Sequence, residues 1–272
     1  MQARTLWSPP TGALGRLTTL ARDRAHALGA ARVWEDRAAD AGPAQSLRKA
    51  LLGGPVAVIA EVKRKSPSRG ALDESMDAPM RARQYEQGGA RAISVLTEPT
   101  EFGGSREDLE LIRRRVSCPL LRKDFHVHPV QMFEARACGA SAALLIVRAL
   151  GPDDTRVMAD AARQAGVEAV FEVRDEAELA CALDAGATVV GVNRRNLETL
   201  AMEPEVVSRL LPMIPASCVA IAESGISSRT DVEQAALLGA DAVLVGSSLS
   251  LSENAQDAVA MLTGVARGRT RD

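Results

Sequence analysis

Eight short apolar runs follow one another between residues 56 and 247, and longer segments with helical spacing separate them. The runs are apolar almost throughout, which is typical of strands buried on both faces of a parallel sheet. Eight such strands are the number that a (β/α)8 barrel requires. The runs are VAVIAEVK (56–63), AISVLT (92–97), LLRKDF (120–125), AALLIV (142–147), AVFEV (169–173), VVGVN (189–193), VAIAES (219–224) and AVLVGS (242–247).

Several of the segments between the runs end in a shared pattern of glycine, a small residue and the next run. In EQGGARAI, RACGASAALL, RQAGVEAVF, LDAGATVVG and LLGADAVLV, a glycine stands where a helix C-terminus favours a left-handed residue. This repetition indicates successive βα units. A doubly wound sheet is the alternative, but no GxGxxG follows the first run, and eight regular units are rarely needed there. We therefore predict an α/β chain that forms a (β/α)8 TIM barrel.

Residues 1–52 differ from the rest of the chain and contain no such unit. Apolar residues recur there at helical spacing, at Leu14, Leu17, Leu20, Ala25 and Leu28. The segment PAQSLRKALLGG adds a short helix that stops at two glycines. We expect one or two added helices that cover one end of the barrel. The predicted organisation is an N-terminal helical extension over residues 1–52 and a barrel over residues 53–272, within a single domain overall.

Composition limits the partners of the chain. It has 272 residues, of which 46% are hydrophobic and 25% charged, so a large core can form. The net charge of -2 argues against a nucleic-acid partner, because such domains usually carry a basic excess. A phosphate recognised by this chain should therefore belong to a small molecule. No stripe of sequence separates an oligomer interface from helix packing, and we favour a monomer.

Two further features bear on the cellular compartment. The N-terminus lacks the apolar centre of a signal peptide, and no run approaches the roughly 18 apolar residues that cross a bilayer. We therefore expect a cytoplasmic protein with no membrane partner. The cysteines are dispersed and form no CxxC, which predicts reduced structural thiols without disulfides or metal. They are Cys118, Cys138, Cys181 and Cys218.

Polar residues end most of the predicted strands. The C-terminal ends of barrel strands surround one opening, where catalytic groups project. A single charged strand end is usually solvated or half of an ion pair, but a shared opening brings all of them together. We therefore predict one pocket formed by Glu61 and Lys63, Lys123, Glu172, Asn193 and Arg195, and Glu223 and Ser224.

Strand alternation separates some neighbouring charges from this pocket. Side chains of adjacent strand residues point to opposite faces. Asp124 should therefore turn outward from Lys123 and make a structural contact. By the same argument, Arg64 and Lys65 should serve the loop or the rim rather than the pocket.

A phosphate site is predicted at the last two strands. Ser224-Gly225 follows the seventh strand and Gly246-Ser247 follows the eighth, where barrels commonly bind phosphate through backbone N–H groups. Glycine allows close approach of the backbone, and serine adds a hydroxyl donor. Either pair alone could be an ordinary turn, but both occur at the right strands.

Three other features have competing interpretations. His126 and His128 have metal-like spacing but no evident third ligand, so a surface loop is the favoured interpretation. Ser105 is expected to cap the helix that follows the second strand. Phe102 and Phe125 fall just beyond strand ends in a chain with only 3% aromatic residues. They belong either to the core or to an apolar ring around the substrate.

Eight segments of the chain form a recognisable series: IAEVKRKSPSRG, ISVLTEPTEFGGS, LLRKDF, LLIV, FEV, GVNRRNLETL, AESGIS and LVGSSL. In order and spacing they resemble the motifs of the indole-3-glycerol phosphate synthase family of tryptophan biosynthesis. The similarity extends from about Ser46 to the last strand, and the first and sixth segments are not generic barrel features.

The resemblance implies a carboxy-lyase that needs no metal or organic cofactor. Its substrate would be 1-(2-carboxyphenylamino)-1-deoxyribulose 5-phosphate, which ring closure, decarboxylation and dehydration convert to indole-3-glycerol phosphate, CO2 and water. Lys123 would be the general acid that protonates the carbonyl, and Glu172 the acid/base carboxylate near the ring nitrogen. Lys63 would assist hydroxide loss with Glu61 beside it.

The resemblance also implies how the substrate is held. Asn193 and Ser224 would orient it, and Arg195 would lie near its carboxylate. Glu223, at the end of the seventh strand, is counted with the substrate-binding residues. The phosphate cradle would consist of Ser66, Gly225, Gly246 and Ser247, and the apolar wall around the anthranilate ring of Phe102, Phe125 and Leu144.

Elementary electrostatics supports an acid and base assignment of this kind. Burial and a neighbouring cation lower the pKa of a lysine, so Lys63 and Lys123 across one opening would make a better acid. Glu61 and Glu172 would supply the opposite charge and keep the two roles apart.

Three alternatives stay open on the sequence alone. A phosphoribosylanthranilate isomerase would share the phosphate cradle but would have an early Cys and a facing Asp, whereas the first strand here ends in Glu-Val-Lys. A non-catalytic barrel could retain the pocket only to bind a phosphorylated ligand. A synthase copy dedicated to a secondary-metabolite pathway would carry the same motifs.

Overall fold

Eight parallel strands close into a barrel in a computed structural model that describes residues 7–268. Strand β1 pairs with both β2 and β8, and every strand lies beside its neighbours in sequence. The predicted TIM barrel is thus confirmed, and each strand falls within two residues of its predicted run. The strands are β1 (Ala57–Val62), β2 (Ala92–Leu96), β3 (Leu120–Lys123), β4 (Ala142–Ile146), β5 (Glu168–Val173), β6 (Val189–Asn193), β7 (Val219–Glu223) and β8 (Ala242–Val245).

Helices connect the strands around the outside of the barrel. The glycines that precede the next strand have left-handed φ values, as the repeated pattern predicts: Gly89, Gly139, Gly166, Gly186 and Gly239. Ser105 caps its helix as predicted, because its hydroxyl accepts a hydrogen bond from Asp108 N at 3.0 Å. The helices are Ala78–Gln87, Arg106–Arg113, Val130–Ala137, Val147–Ala165, Glu176–Asp184, Glu205–Leu210, Arg229–Leu237, Ser247–Ser250 and Ala255–Ala260, with a 3-10 turn at Leu211–Met213.

The N-terminal extension contains three helices, not the one or two that the sequence predicts. They are α1 (Gly12–Ala27), α2 (Ala31–Asp40) and α3 (Leu47–Leu51). The prediction was wrong because the helical spacing continues across Leu28-Gly29-Ala30, where Gly29 takes a left-handed φ of 74° and breaks the helix. The division between residues 1–52 and 53–272 stays a prediction.

The extension covers both ends of the barrel rather than one. Leu14 and Leu17 of α1 pack with side chains near the C-terminal ends of the strands, including Phe125 and Ile146. At the opposite end, α3 packs its buried leucines against the first residues of several strands. Glu168 at the start of β5 holds α3 in place, since its carboxylate accepts hydrogen bonds from the Ser46 hydroxyl at 2.6 Å and Arg48 N at 2.7 Å.

Helix α2 runs between these two caps and packs on the helix Val130–Ala137. Trp34 anchors it, and the guanidinium carbons of Arg37 and Arg106 lie 4.6 and 5.5 Å from the centroid of its ring. Cationic groups over an indole face are attracted by its quadrupole. Within residues 7–268, no helix has the length and apolar character needed to span a membrane.

Candidate active site

A cavity of about 290 Å³ opens at the C-terminal ends of the strands. Its lining includes every residue that the sequence assigns to a catalytic, substrate-binding or phosphate-binding position. Strand closure therefore brings together groups that lie up to 186 positions apart in the sequence, between Glu61 and Ser247. These residues are Glu61, Lys63, Ser66, Phe102, Lys123, Phe125, Leu144, Glu172, Asn193, Arg195, Glu223, Ser224, Gly225, Gly246 and Ser247.

Lys123 lies at the centre of the charged groups in this cavity. Its Nζ is 3.2 Å from Oε2 of Glu172 and 3.2 Å from Oε2 of Glu223. The three side chains come from β3, β5 and β7, which alternate around the barrel with even-numbered strands between them. Side chains from alternate strands share one layer of a barrel interior. The ammonium group is therefore held between two carboxyl groups that project from neighbouring positions in that layer.

The pKa of Lys123 departs from the sequence prediction. Burial lowers it, but the carboxyl groups of Glu223, Glu172 and Glu61 outweigh burial, so the pKa is raised above the ordinary lysine value. The prediction that Lys63 would lower it was wrong for the site as it stands, because Lys63 is neutralised by its own partner. Lys123 consequently carries a proton at neutral pH.

Glu223 differs from its neighbours in protonation. Burial raises its pKa to about 8, an effect that nearby Glu172 reinforces and Lys123 opposes. Two carboxyl groups beside one ammonium cannot both ionise easily in a buried site, so one of them keeps a proton. At neutral pH the cluster therefore contains a protonated Lys123 and a protonated Glu223.

Glu61 and Lys63 form a second ion pair on one face of β1, as strand alternation predicts. Lys63 Nζ lies 3.0 Å from Oε1 of Glu61. Burial raises the pKa of Glu61, but Lys63 and Lys123 reverse this effect and lower it overall. Gly246 packs against the pair, since a Cβ there would meet Glu61 Oε1 and would lie 2.9 Å from Lys63 Nζ. A glycine is thus required for the pair to lie against the backbone after β8.

A short hydrogen-bonded chain joins the ends of β6 and β7. The Ser224 hydroxyl donates to Oδ1 of Asn193 at 2.8 Å, and the same oxygen accepts from Arg195 N at 2.9 Å. Ser224 holds a left-handed φ of 65°, which is uncommon for a residue other than glycine. Arg195 donates through Nη1 to the carbonyl of Leu200 at 2.8 Å, which fixes its guanidinium at the edge of the cavity.

The predicted phosphate-binding residues gather on one side of the cavity, after β1, β7 and β8. Ser66 lies in a two-residue strand that pairs with Gly70–Ala71. Its hydroxyl is buried and has no hydrogen-bond partner among residues 7–268, although the residue lines the cavity. A buried hydroxyl normally has a partner, so this one is suited to a ligand. Gly225, with a φ of 72°, and Ser247 complete that side.

The apolar part of the lining lies on the other side, after β2, β3 and β4. The rings of Phe102 and Phe125 are 6.2 Å apart between centroids, with 42° between their planes. Leu144 joins them in the cavity lining. Of the two interpretations of these phenylalanines, an apolar surface that faces the cavity is therefore the one the structure favours. Phe125 is almost fully buried and also belongs to the core.

Three charged residues were predicted to lie away from the pocket. Asp124 makes the structural contacts expected of it, to Arg24 at 2.6 Å and to the Thr97 hydroxyl at 2.7 Å. The prediction that it turns away from the pocket was wrong, because it also lines the cavity below the helix that carries Arg24. Arg64 holds a loop through Asp108, and Lys65 pairs with Glu74 at 2.8 Å, so both serve the rim as predicted.

The surface-loop prediction was wrong for one of the two histidines. His126 is buried, and its Nδ1 lies 2.8 Å from the carbonyl of Leu144. Burial lowers its pKa to about 4, so it is neutral. The prediction was wrong because the neighbouring polar residues suggested an exposed loop, and a hydrogen bond to the next strand cannot be read from them. His128 is exposed, as predicted. None of the four cysteines forms a disulfide within residues 7–268, and Cys138 and Cys218 are buried.

Some cavity residues were not singled out from the sequence. Arg69 lines the cavity near Arg195, and Leu17 reaches it from α1. A usable signal lies in the choice of cation, because the chain contains four lysines against 29 arginines. Three of the lysines, Lys63, Lys65 and Lys123, lie at or beside the cavity. An arginine cannot give up its proton in a protein, whereas a lysine can.

Fold and cavity together define a (β/α)8 barrel with a lysine–carboxylate cluster in a cavity at the C-terminal ends of its strands. A family model described as Indole-3-glycerol phosphate synthase matches residues 19–262. The protein of that name from Mycobacterium sp. (strain KMS) is 47% identical over 228 residues, which are 84% of each chain. The one from Kineococcus radiotolerans is 52% identical over 207 residues, 76% of each. The chain therefore belongs to the indole-3-glycerol phosphate synthase family.

Solved structures with low sequence identity show the same fold. The 3-hexulose-6-phosphate synthase of Salmonella typhimurium is 16% identical, with a TM-score of 0.62 over 76% of this chain and 96% of that one. A thiamine phosphate pyrophosphorylase from Pyrococcus furiosus is also 16% identical, with a TM-score of 0.58 over 80% of this chain and 96% of that one. These similarities concern the barrel alone.

Gly191 on β6 should tolerate no side chain while Glu223 is present. A Cβ at this position would collide with Oε1 of Glu223. We expect Gly191→Ala to lower the free energy of unfolding by about 2 kcal/mol, within the usual range for overpacking. In a Glu223→Ala background, which lacks the colliding atoms, the same substitution should cost much less. Urea unfolding of the four proteins measures this coupling, and equal costs in both backgrounds would contradict the predicted contact.

The raised pKa of Glu223 predicts a pH dependence of stability. Between its ordinary value of 4.5 and its folded value of about 8, the folded protein holds a proton that the unfolded chain releases. The free energy of unfolding should therefore fall as pH rises through this window, by at most about 1.4 kcal/mol per pH unit from this group. Glu223→Gln should flatten that slope. Urea unfolding at several pH values tests this, and identical slopes for both proteins would refute it.

Proposed function

We propose that this chain is an indole-3-glycerol phosphate synthase. The reaction would convert 1-(2-carboxyphenylamino)-1-deoxyribulose 5-phosphate to indole-3-glycerol phosphate, CO2 and water. Membership of the family supports the proposal, and so does a protonated lysine between two carboxyl groups in the barrel mouth. This last arrangement is the observation that carries it, because the reaction needs proton transfers to and from carbon and oxygen without water as the main acid.

The two sides of the cavity suggest how the substrate lies. Its phosphate would bind on the side of β1, β7 and β8, where Ser66, Gly225, Gly246 and Ser247 line the cavity. Its aromatic ring would lie on the side of β2, β3 and β4, against Phe102, Phe125 and Leu144. In the barrel order, β7 lies opposite β3 and β8 lies opposite β4, while β1 and β2 are neighbours. Lys123 ends β3 and Glu172 lies on β5. The reacting atoms would then lie beside the charged cluster.

Lys123 would act first. As the ring carbon that bears the carboxylate attacks the ketone carbon, the carbonyl oxygen gains negative charge and takes a proton from the Lys123 ammonium. The raised pKa of Lys123 keeps the proton available at neutral pH, and Glu172 and Glu223 hold the ammonium in position. Loss of CO2 from the same ring carbon restores the aromatic ring. Arg195 would hold the carboxylate before it leaves.

The dehydration step would use the other groups. The former carbonyl oxygen leaves as water with a proton from an ammonium, for which Lys63 is placed beside Glu61 at 3.0 Å. Glu172 would take the proton that the carbon next to the ring nitrogen loses in this step. Asn193 and Ser224, which are hydrogen-bonded to each other, would keep the sugar chain oriented. Every step would use this chain's own side chains.

The remaining properties follow the same proposal. The partner would be a small phosphorylated substrate, and no nucleic acid or membrane would be needed. We infer a cytoplasmic enzyme that acts as a monomer in tryptophan biosynthesis. Growth of a tryptophan auxotroph that lacks its own synthase, after expression of this chain, tests the reaction in a cell. A barrel that only binds a phosphorylated ligand would fail to restore growth.

Two substitutions of Lys123 separate its charge from its proton. Lys123→Arg keeps a cation beside Glu172 and Glu223 but cannot release a proton, whereas Lys123→Ala removes both. We expect kcat to fall by roughly 100-fold or more in both variants, in the range of general acid contributions. Glu172→Gln should also lose activity by a similar factor. Indole fluorescence measures the product.

Lys49 is the matched control, because it is an exposed lysine on α3 at the opposite end of the barrel. Lys49→Arg and Lys49→Ala should keep wild-type rates. If Lys123→Arg turned over the substrate at a near wild-type rate, the role of Lys123 as proton donor would be wrong, although the family assignment would stand.

A further inference from the structure

Arg24 connects the N-terminal extension to the barrel mouth through two buried carboxylates. It lies near the end of α1, and its side chain is 29% exposed. Nη1 donates to Glu98 Oε1 at 3.3 Å, and Nη2 donates to Asp124 Oδ1 at 2.6 Å. Glu98 and Asp124 follow β2 and β3, and their side chains are 0% and 2% exposed. One guanidinium therefore bridges two neighbouring strand ends.

Glu98 organises the backbone that carries Phe102. Its Oε1 accepts a hydrogen bond from Thr100 N at 3.0 Å. Its Oε2 accepts from Glu101 N at 2.7 Å and from Phe102 N at 3.1 Å. A carboxylate that accepts three backbone N–H groups fixes the path of the loop between them. The position of Phe102 is therefore set by the carboxylate that Arg24 contacts.

Asp124 does the same for Phe125 on the next strand. Its Oδ1, the oxygen that Arg24 contacts, also accepts a hydrogen bond from Phe125 N at 2.8 Å. Its Oδ2 accepts from the Thr97 hydroxyl at 2.7 Å and lies 3.5 Å from Arg122 Nη2. Each of the two phenylalanines that line the apolar side of the cavity is thus hydrogen-bonded through its backbone N–H to a carboxylate that Arg24 contacts.

The charges alternate through this part of the molecule. From Glu98 the chain passes through Arg24, Asp124 and Arg122 to Glu134, which is 2.7 Å from Arg122 Nη1. Loss of Arg24 would leave Glu98 with backbone donors only and no ionic partner that the structure describes. A buried carboxylate that loses its cation tends to move or take up a proton. Either change would disturb the loop that holds Phe102.

We propose that Arg24 is a positioning residue for the aromatic end of the substrate. Through Glu98 and Asp124 it sets the separation of Phe102 and Phe125, whose ring centroids are 6.2 Å apart. The N-terminal extension thereby shapes the apolar wall without contacting the ring through Arg24 itself. This inference rests on the proposed function, in which the wall holds the anthranilate ring. The phosphate side, built on β1, β7 and β8, should be independent of Arg24.

Steady-state kinetics of Arg24→Met tests this role. Methionine keeps the length and helix propensity of the side chain but removes the charge. We expect KM to rise about tenfold while kcat stays within about threefold, the pattern of lost binding that does not affect the chemical step. Inhibition by 2-aminobenzoate should weaken in parallel, whereas inhibition by inorganic phosphate should be unchanged. Arg22→Met, an exposed arginine on the same helix, is the control and should behave as wild type.

A readout that needs no turnover separates this inference from the proposed function. The chain has four phenylalanines, so 4-fluorophenylalanine gives a simple 19F NMR spectrum. In Arg24→Met the signals of Phe102 and Phe125, assigned through their leucine variants, should shift or broaden, while that of the core residue Phe171 should not. If wild type binds and turns over none of the ribulotide, the proposed function fails, but the NMR result still decides the role of Arg24.

Three outcomes would overturn the inference. Unchanged Phe102 and Phe125 signals in a folded Arg24→Met variant would show that Arg24 does not set the wall. Equal weakening of inhibition by inorganic phosphate and by 2-aminobenzoate would show that the extension orders the whole mouth of the barrel. If Arg24→Met does not fold, Arg24→Lys replaces it, since one ammonium cannot reproduce the two-pronged contact of a guanidinium. Wild-type KM and 19F signals in that variant would equally contradict the role.

Discussion

The contacts of the Lys123 ammonium with the carboxyl groups of Glu172 and Glu223 determine how the mouth of this barrel is built. A buried ammonium needs opposite charge close by, and each carboxyl group here comes from a different strand. The pairs can form only if eight strands close so that β3, β5 and β7 project into one layer. Two glycines are part of the same arrangement, because side chains at Gly191 and Gly246 would collide with Glu223 and with the Glu61–Lys63 pair.

The N-terminal extension completes this arrangement from outside the barrel. Helix α1 brings Leu17 to the cavity and Arg24 to the two carboxylates behind the aromatic wall. Near its start, the Glu198 carboxylate after β6 accepts from Thr11 N at 2.6 Å and pairs with Arg148 at 3.0 Å. The helix is thus tied to the loops after β2, β3 and β6. A barrel without it would keep its charged centre but lose part of the boundary of its pocket.

The barrel could be predicted from the sequence because its strands are continuous apolar runs and a repeated glycine pattern precedes five of them. The convergence of Glu61, Lys123 and Glu172 followed from strand closure alone. Contacts between distant polar side chains could not be predicted, since nothing in the sequence pairs Arg24 with Glu98 or His126 with Leu144. The predicted direction of the Lys123 pKa shift was wrong for a related reason. That direction depends on which carboxylates and cations lie nearest to the ammonium, and Glu223 is a direct partner. The number of helices in the extension was underestimated because the helical spacing of apolar residues continues across Gly29.

The central claim is that this charged cluster carries out a complete reaction and does not merely bind a phosphorylated ligand. The most direct measurement is the stoichiometry of product formation when purified protein is mixed with 1-(2-carboxyphenylamino)-1-deoxyribulose 5-phosphate. We expect indole fluorescence and CO2 to appear at equal rates and in equal amounts, with many turnovers per chain. Saturable binding of the ribulotide with neither fluorescence nor CO2 would contradict it and would identify a barrel that retains the pocket without the chemistry.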